Sequence, residues 1–443
     1  MKIQLSDHFT FGRLIRFALP SIVMMVFTSI YSVVDGIFVS NFAGKVPFAA
    51  INLIMPYIMI LGTVGFMIGT GGTALISKTL GMGDKKKANE IFSFLTVVAI
   101  VAGIVLTILS LIFLRPVAIL LGAEGEMLEN CILYGKIVLP AATAYILQFA
   151  FQSFCVTAEK ANLSLIMTVF SGVCNIILDA LFVAVFRWGL AGAAAATAIA
   201  QILGAIIPIV YFIRPNKSLL RLGKFRFDGK VLWRTITNGS SELMSNLSMS
   251  IVGMLYNLQL LAYAGEDGIA AYGVIMYVNL FFLSIFIGFV IGAAPLIGYN
   301  HGADNRAELK NLFKKSLVIV GVSAVAMAGA AVLLAKPLAS IFVSYDRNLW
   351  EMTVRGFMIY SVSFLLCGFN IFGSSMFTAL NNGLISAVIS FVRTLICQIA
   401  AVMLLPLIWG LDGIWLSIVA AELAALLLTV CCFVLFRKKY HYA

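Results

Sequence analysis

Charge is scarce in this chain. Only 11% of its 443 residues are Asp, Glu, Lys or Arg, against about 25% in ordinary soluble domains. Hydrophobic residues make up 62%, and the mean hydropathy is +1.04. A soluble protein of this length cannot hide so much apolar surface in one or two cores, and disorder, collagen and coiled coil are excluded with it. Histidine is nearly missing. His8, His301 and His441 stand at the ends of apolar stretches, so no histidine proton relay or metal cluster lies within them. The seven cysteines sit in or beside apolar stretches, with no C-x-x-C and no pair in a long polar loop. Metal and disulfide frameworks are therefore not expected. A complete nucleotide motif is also lacking. Gly72 to Thr79 reads G-x-x-x-x-S-K-T, without the glycine a phosphate-binding loop needs at position 77, and it follows an apolar helix instead of a strand.

What is present is a series of long apolar runs. A bilayer-spanning helix needs about 20 apolar residues. Breaks at charged or Gly/Pro/Asn-rich points divide the chain into twelve spans, near 13–41, 48–80, 89–114, 127–156, 162–186, 189–213, 232–264, 268–300, 309–335, 349–379, 383–408 and 411–436. They are too long and continuous for barrel staves. The expected fold is an all-α polytopic protein of the cell membrane, in contact with the lipid bilayer. Leu14 to Val39 is too long for a signal-peptide core and has no A-x-A site, so it is expected to remain as a membrane helix.

The net charge of +11 comes from 30 basic and 19 acidic residues. A nucleic-acid partner is not implied, because the basic residues alternate with apolar spans and form no single patch. Instead they set orientation. Both termini in the cytoplasm would place 22 Lys and Arg inside and seven outside, with Arg393 alone deep in a span. An N-in, C-in topology is expected.

The chain also repeats itself. A shift of 221 residues superposes Gly44 on Gly265, Met55 on Met276, Gly81 on Gly302, Phe92 on Phe313, Pro116 on Pro337 and Trp188-Gly189-Leu190 on Trp409-Gly410-Leu411. Asp84 reaches Asp304 with a slip of one residue. Six spans per half is an even number, so the halves form parallel repeats related by an axis along the membrane normal. The boundary is expected at 221/222, giving lobes 1–221 and 222–443.

With these features the chain resembles the multidrug and toxic compound extrusion (MATE) family over its full length. The resemblance is carried by Phe17-Ala18-Leu19-Pro20, by Ser32-Val33-Val34-Asp35-Gly36-Ile37-Phe38-Val39 and by Leu80-Gly81-Met82-Gly83-Asp84. Gly302-Ala303-Asp304 and the two Trp-Gly-Leu-x-Gly segments add to it. It implies two six-helix lobes rocking around a central cavity. It also implies export of amphipathic, often cationic small compounds against inward sodium ions or protons, with no other cofactor. The chain is similar to the branch related to DNA-damage-inducible protein F at Asp35 in helix 1, Asn175 and Asp179 in helix 5, Thr197 in helix 6, and Tyr31 one turn before Asp35. That likeness implies an ion-coupling cluster in the first lobe. The acidic residue that another bacterial branch keeps deep in helix 7 is replaced here by Tyr256, the 221-shift partner of Asp35.

The residues themselves support a polar site. An ionisable group inside an apolar span costs about 2.5–3.5 kcal/mol on the insertion scale. Five stand in such places: Asp35, Asp179, Glu242, Arg393 and Glu422. Tyr31 and Asp35 share a helix face, as do Asn175 and Asp179. Two carboxylates, an amide oxygen and a hydroxyl suit a hard cation such as Na+; a desolvated aspartate alternatively carries a proton. Glu242 lies near the start of helix 7, whereas Arg393 and Glu422 are expected to pair with polar groups between helices. Tyr31 is expected at the substrate cavity; Gln148 and Gln152 share a face of helix 4, and either line that cavity or pack between helices. Pro20 frees a carbonyl where helix 1 can bend.

Without a nucleotide site, transport by such a chain is secondary, and no enzyme activity is expected. The rival reading is a flippase for lipid-linked precursors, for which only Arg393 is available to meet phosphate. A monomer is expected.

Overall fold

The computed structural model describes residues 3–42, 45–344 and 346–443, apart from the side chains of residues 32, 33, 35–42, 45 and 48. Described residues are almost entirely helical, as lipid requires. With no water to pair them, backbone N–H and C=O groups must be satisfied within each span. The first half contains α1 (Phe11–Phe42), α2 (Lys45–Gly81), α3 (Lys85–Leu120), α4 (Gly125–Val138), α5 (Ala142–Thr157), α6 (Ala161–Asp179) and α7 (Gly189–Ile213). The second contains α8 (Gly229–Gly302), α9 (Arg306–Val343), α10 (Arg347–Ser361), α11 (Phe364–Ala379), α12 (Gly383–Phe391), α13 (Gln398–Leu404) and α14 (Pro406–Tyr440).

Among the described residues the spans number twelve. Ten helical runs are long and apolar enough to cross a bilayer, among them Gly125–Thr157 as one span, and the pair α10–α11, bent by 46°, makes an eleventh. Helix α8 has 74 residues, more than three times the bilayer requirement. It breaks at Gly265, whose φ of 64° and ψ of −150° are not helical, so it supplies two spans. Glycine accepts this conformation because it has no Cβ to clash.

Helices α3 and α9 run past the expected limits at 114 and 335, each through a proline, Pro116 and Pro337. Neighbouring helices let membrane spans tolerate such residues. The repeat is visible in the backbone. The shift partners Gly189 and Gly410 both have φ of 57°, and Gly83 and Asp304 share positive φ, 83° and 49°.

One sequence alignment needs correcting. Asp84 corresponds to Asn305, not to Asp304. The Asp84 side chain accepts the backbone N–H of Lys87 at 2.9 Å and so caps α3; the Asn305 side chain accepts that of Glu308 at 3.1 Å and caps α9. Capping needs a short side-chain oxygen at the N-cap, and either amide or carboxylate supplies it. The shift of 221 therefore holds here without a slip.

The two halves meet where both termini lie. Gly71 and Gly239 bring α2 and the start of α8 into contact: a Cβ on either would stand 2.1 or 2.0 Å from the carbonyl oxygen of Thr235 or Met67. Gly288 and Gly292 likewise face the α1 backbone at Ile22 and Ala18. Small residues let membrane helices approach this closely, since close packing replaces the hydrophobic drive that lipid does not provide. The Asn381 side chain donates to the Ala74 carbonyl across the seam at 2.9 Å. The segment before α1 straps the same side. The Leu5 N–H donates to Glu159 of the first half at 2.8 Å, and the Phe9 N–H to Glu308 of the second at 2.9 Å.

Candidate functional site

Two polar regions lie inside the helical body. The first belongs to the first half. Asn175 and Asp179 are buried one turn apart on α6, and Asp179 is its last residue before a π-helical turn, Ala180–Val185. Such turns occur frequently at functional sites. Tyr31 of α1 stacks on Phe27 with ring centroids 6.3 Å apart, and both rings press on the bare backbone of Gly172, one turn before Asn175. The structure thus brings Tyr31 against the face of α6 that bears Asn175. The Nδ2 of Asn175 is buried with no hydrogen-bond partner among the described residues. Thr197 lies half-buried on α7, which is tied to α6 by the bond from Ser171 Oγ to the Ala200 carbonyl, 2.8 Å. Asp35 follows Tyr31 by one turn of α1, but its side chain lies outside the described residues.

Gln148 and Gln152 pack within the first half. Gln148 lies against Gly204 of α7. Gln152 is buried and donates to Thr168 of α6 at 3.4 Å. Pro20 stands within unbroken α1, between Ala18 and Ile22, where that helix presses on α8.

The second region was not legible as a site. A cavity of about 370 Å³ is lined mainly by the second half, with Phe66, Thr70, Thr73, Ala74 and Ser153 from the first. Arg393 lies on a π-helical turn, Val392–Cys397, that joins α12 to α13. It grips Glu422 of α14 with two nitrogens: Nε stands 2.9 and 3.0 Å from the carboxylate oxygens, and Nη2 stands 2.9 Å from one of them. Asn370 of α11 donates to the same carboxylate at 2.7 Å and to the Glu422 backbone carbonyl at 2.9 Å. Thr429, two turns along α14, donates to Asn370 Oδ1 at 2.9 Å. Glu422 is 3% exposed and Arg393 14%. Charged hydrogen bonds of this bidentate kind are roughly twice as strong as neutral ones, and here they join three elements.

Arg393 and Glu422, expected to find partners between helices, thus find each other. Glu242 has a different position from the one its place near a helix start suggested: it lines the same cavity. Its carboxylate makes no hydrogen bond or ion pair among the described residues; Arg393, the cation acting on it, is bound to Glu422. With all three ionised the cavity carries one excess negative charge. Tyr256 and Tyr272 stack beside it with centroids 5.2 Å apart and planes 4° apart, and the Tyr256 hydroxyl donates to Gln398 at 3.1 Å. An apolar, aromatic wall with one free carboxylate suits a flat organic cation.

The model of the MatE family matches residues 20–181 and again 243–404, about three-quarters of the chain. The chain belongs to the MatE family. The two matches start 223 residues apart, which agrees with the internal repeat. This MatE chain is a membrane transporter and not an enzyme. It is 27% identical over 418 residues to the multidrug export protein MepA of Staphylococcus aureus, covering 94% of this chain and 92% of the relative. It is 28% identical over 424 residues to MepA of Staphylococcus saprophyticus, covering 94% and 93%. Its fold matches the outward-facing conformation of a multidrug resistance MATE family transporter with a TM-score of 0.90, at 22% identity over 96% of this chain and 95% of the other. A transporter of the MOP superfamily from Pyrococcus furiosus matches with a TM-score of 0.89 at the same identity and coverage. These similarities agree with the twelve-span, two-repeat architecture.

Proposed function

We propose that this MatE chain is a secondary active multidrug exporter that exchanges amphipathic, cationic compounds for protons or sodium ions. The observation that carries the reading is the second-half cavity, where Glu242 is left without a partner beside the stacked pair Tyr256 and Tyr272. The relatives named as multidrug export proteins support it. In this reading the lobes 1–221 and 222–443 rock about the seam, both termini are cytoplasmic, and the protein works as a monomer in the cell membrane. The glycine contacts between α2 and α8 then close the cytoplasmic side, and the cavity waits for release outward. Ion coupling belongs to the first lobe, with Asp35 and Asp179 as the acids and Asn175 and Thr197 as neutral oxygen ligands. The burial of Asn175 and Asp179 on one face, ahead of a π-helical turn, supports that assignment. A phosphate-bearing lipid precursor would need free cations in the cavity, and its Arg393 is already held by Glu422.

The test is uptake of a fluorescent monocation into proteoliposomes under an imposed proton or sodium gradient. Gradient-driven movement that also requires Asp179 is the expected result. Movement that ignores both gradients, or a preference for phosphorylated lipids, overturns the reading. Because ion binding in the first lobe and drug binding in the second-half cavity favour opposite states of the same rocking lobes, each should weaken the other's binding by one and the same factor.

A further inference from the structure

A second cleft lies outside the transport site, at the end of the molecule that carries both termini. It has a volume of about 860 Å³ and is formed by the start of α3, the segment between α7 and α8, and the first turn of α8. Lys86, Lys87, Arg226 and Lys230 line it with Asp84, Glu90 and Asp228. Two of these acids are already engaged. Asp84 caps α3, and Asp228 caps α8 by accepting the N–H groups of Lys230 and Val231 at 2.9 and 3.2 Å. None of the four cations has an ion-pair partner among the described residues.

The place of the cleft says what kind of anion it meets. Val101, Ile104, Val105, Ile108 and Ile112 are exposed along one stripe of α3, the stripe that a lipid tail would touch. Stepping back seven and fourteen residues from Val101 along the same face reaches Phe94 and Lys87. The segment between α7 and α8 is stitched onto this end of α3: the Arg221 N–H donates to Asn89 at 2.8 Å and the Gly223 N–H to Ser93 at 3.0 Å. It lays Phe225 and Phe227 over Phe94, with centroids 6.3 and 5.6 Å away. Phe227 remains 73% exposed, and nearby Trp233 67%, as expected of aromatic rings at a membrane–water interface. Going along the helix, an aliphatic stripe gives way to aromatic rings and then to unpaired cations. A phospholipid presents tail, glycerol and phosphate in that order.

We propose that this cleft binds the headgroup of an anionic phospholipid from the surrounding bilayer. Its phosphate would sit among Lys86, Lys87, Arg226 and Lys230 and its acyl chains along α3. A lipid there bridges the first repeat, the connecting segment and the second repeat.

The experiment uses full-length protein in phosphatidylcholine vesicles with trace spin-labelled phosphatidylglycerol or spin-labelled phosphatidylcholine. The motionally restricted fraction of each probe gives a relative association constant. A basic residue at a membrane surface gains about fivefold in affinity for anionic lipid. Wild-type protein should therefore prefer phosphatidylglycerol by at least about fivefold, and Lys86→Gln/Lys87→Gln/Arg226→Gln/Lys230→Gln should bring that preference close to unity. The milder pair Lys86→Gln/Arg226→Gln should lose part of it. The control Arg437→Gln/Lys438→Gln/Lys439→Gln, which removes three basic residues at the same end of the molecule, should keep most of it. No preference in the wild type, or equal loss in the control, overturns the proposal. So does displacement of the lipid probe by inorganic phosphate beyond the effect of sodium chloride at matched ionic strength, which would mark a site for soluble anions.

Discussion

Gly81 stands against the carbonyl oxygen of Tyr299, and Gly302 stands against the carbonyl oxygen of Lys78, each so close that a Cβ would fall 2.0 Å from that oxygen. The relation is reciprocal, because the shift of 221 turns Gly81 into Gly302 and Lys78 into Tyr299. Two backbones thus cross at the pseudo-twofold axis with only hydrogen atoms between them. Adding one methyl group there must push the halves apart. Gly302→Ala and Gly81→Ala should each weaken the closed seam by about 1–3 kcal/mol, the usual cost of overpacking. Distances between spin labels on either side of the seam should lengthen in both variants, by similar amounts. A lengthening in one variant only would mean that the two crossings are not mechanically equivalent.

The Arg393–Glu422 pair should matter more for folding when halved than when removed whole. Breaking one partner of a buried pair typically costs about 3–5 kcal/mol, whereas apolar replacement of both is often neutral. Glu422→Gln should lower the thermal midpoint in detergent strongly, and Arg393→Met/Glu422→Leu should recover much of the loss. Equal loss in the single and double variants would show that Asn370 and Thr429 carry the stability instead.

Glu242 is the unpartnered acid of the cavity, so its neutralisation should be read in substrate affinity. Glu242→Gln is expected to raise the apparent KM for a monocationic dye about tenfold, the worth of one charged contact. A neutral analogue of the same shape should be transported as before, with thermal stability unchanged. If both substrates suffer alike, the carboxylate is structural.

Ion dependence should reside in the first lobe. Asp179→Asn at normal expression is expected to remove the response to proton or sodium gradients, and so is Asp35→Asn. Tyr256→Phe, at the equivalent place in the second repeat, should keep that response while altering substrate affinity. The reverse pattern in a gradient-driven uptake assay would move coupling to the second lobe.

The N-terminal strap offers a separate measurement. Glu308 is buried and accepts from the Phe9 N–H, from Asn311 at 2.8 Å and from His8 Nδ1 at 2.6 Å. Removing that acceptor leaves the buried Phe9 N–H unpaired, at about 1–3 kcal/mol, and frees His8 and one bond of Asn311. Glu308→Ala should expose residues 5–9 to proteolysis before any other part of the chain is cut.

Sequence by itself determined the membrane class, the number of spans and the repeat. All three are one-dimensional properties. Hydropathy over about 20 residues reports whether a segment can leave water, and a shift of 221 compares residues without knowing where they lie. Even the break at Gly265 was visible, as a charged interruption between two apolar runs. The first polar cluster was legible only in part: spacing put Asn175 and Asp179 on one face of α6, and the burial of both came from the fold. Tertiary structure alone decided the rest. Arg393 and Glu422 are 29 positions apart on different helices, and nothing in their spacing says that they meet. Glu242 stands near a helix start when depth is judged along the chain; the cavity that reaches it is lined from α2, α5 and α10 to α14 as well as from α8. Gln148 and Gln152 share a face in sequence, but which neighbour that face meets depended on α6 and α7. Pairing across helices is set by packing, and packing depends on contacts between residues that the chain order leaves far apart.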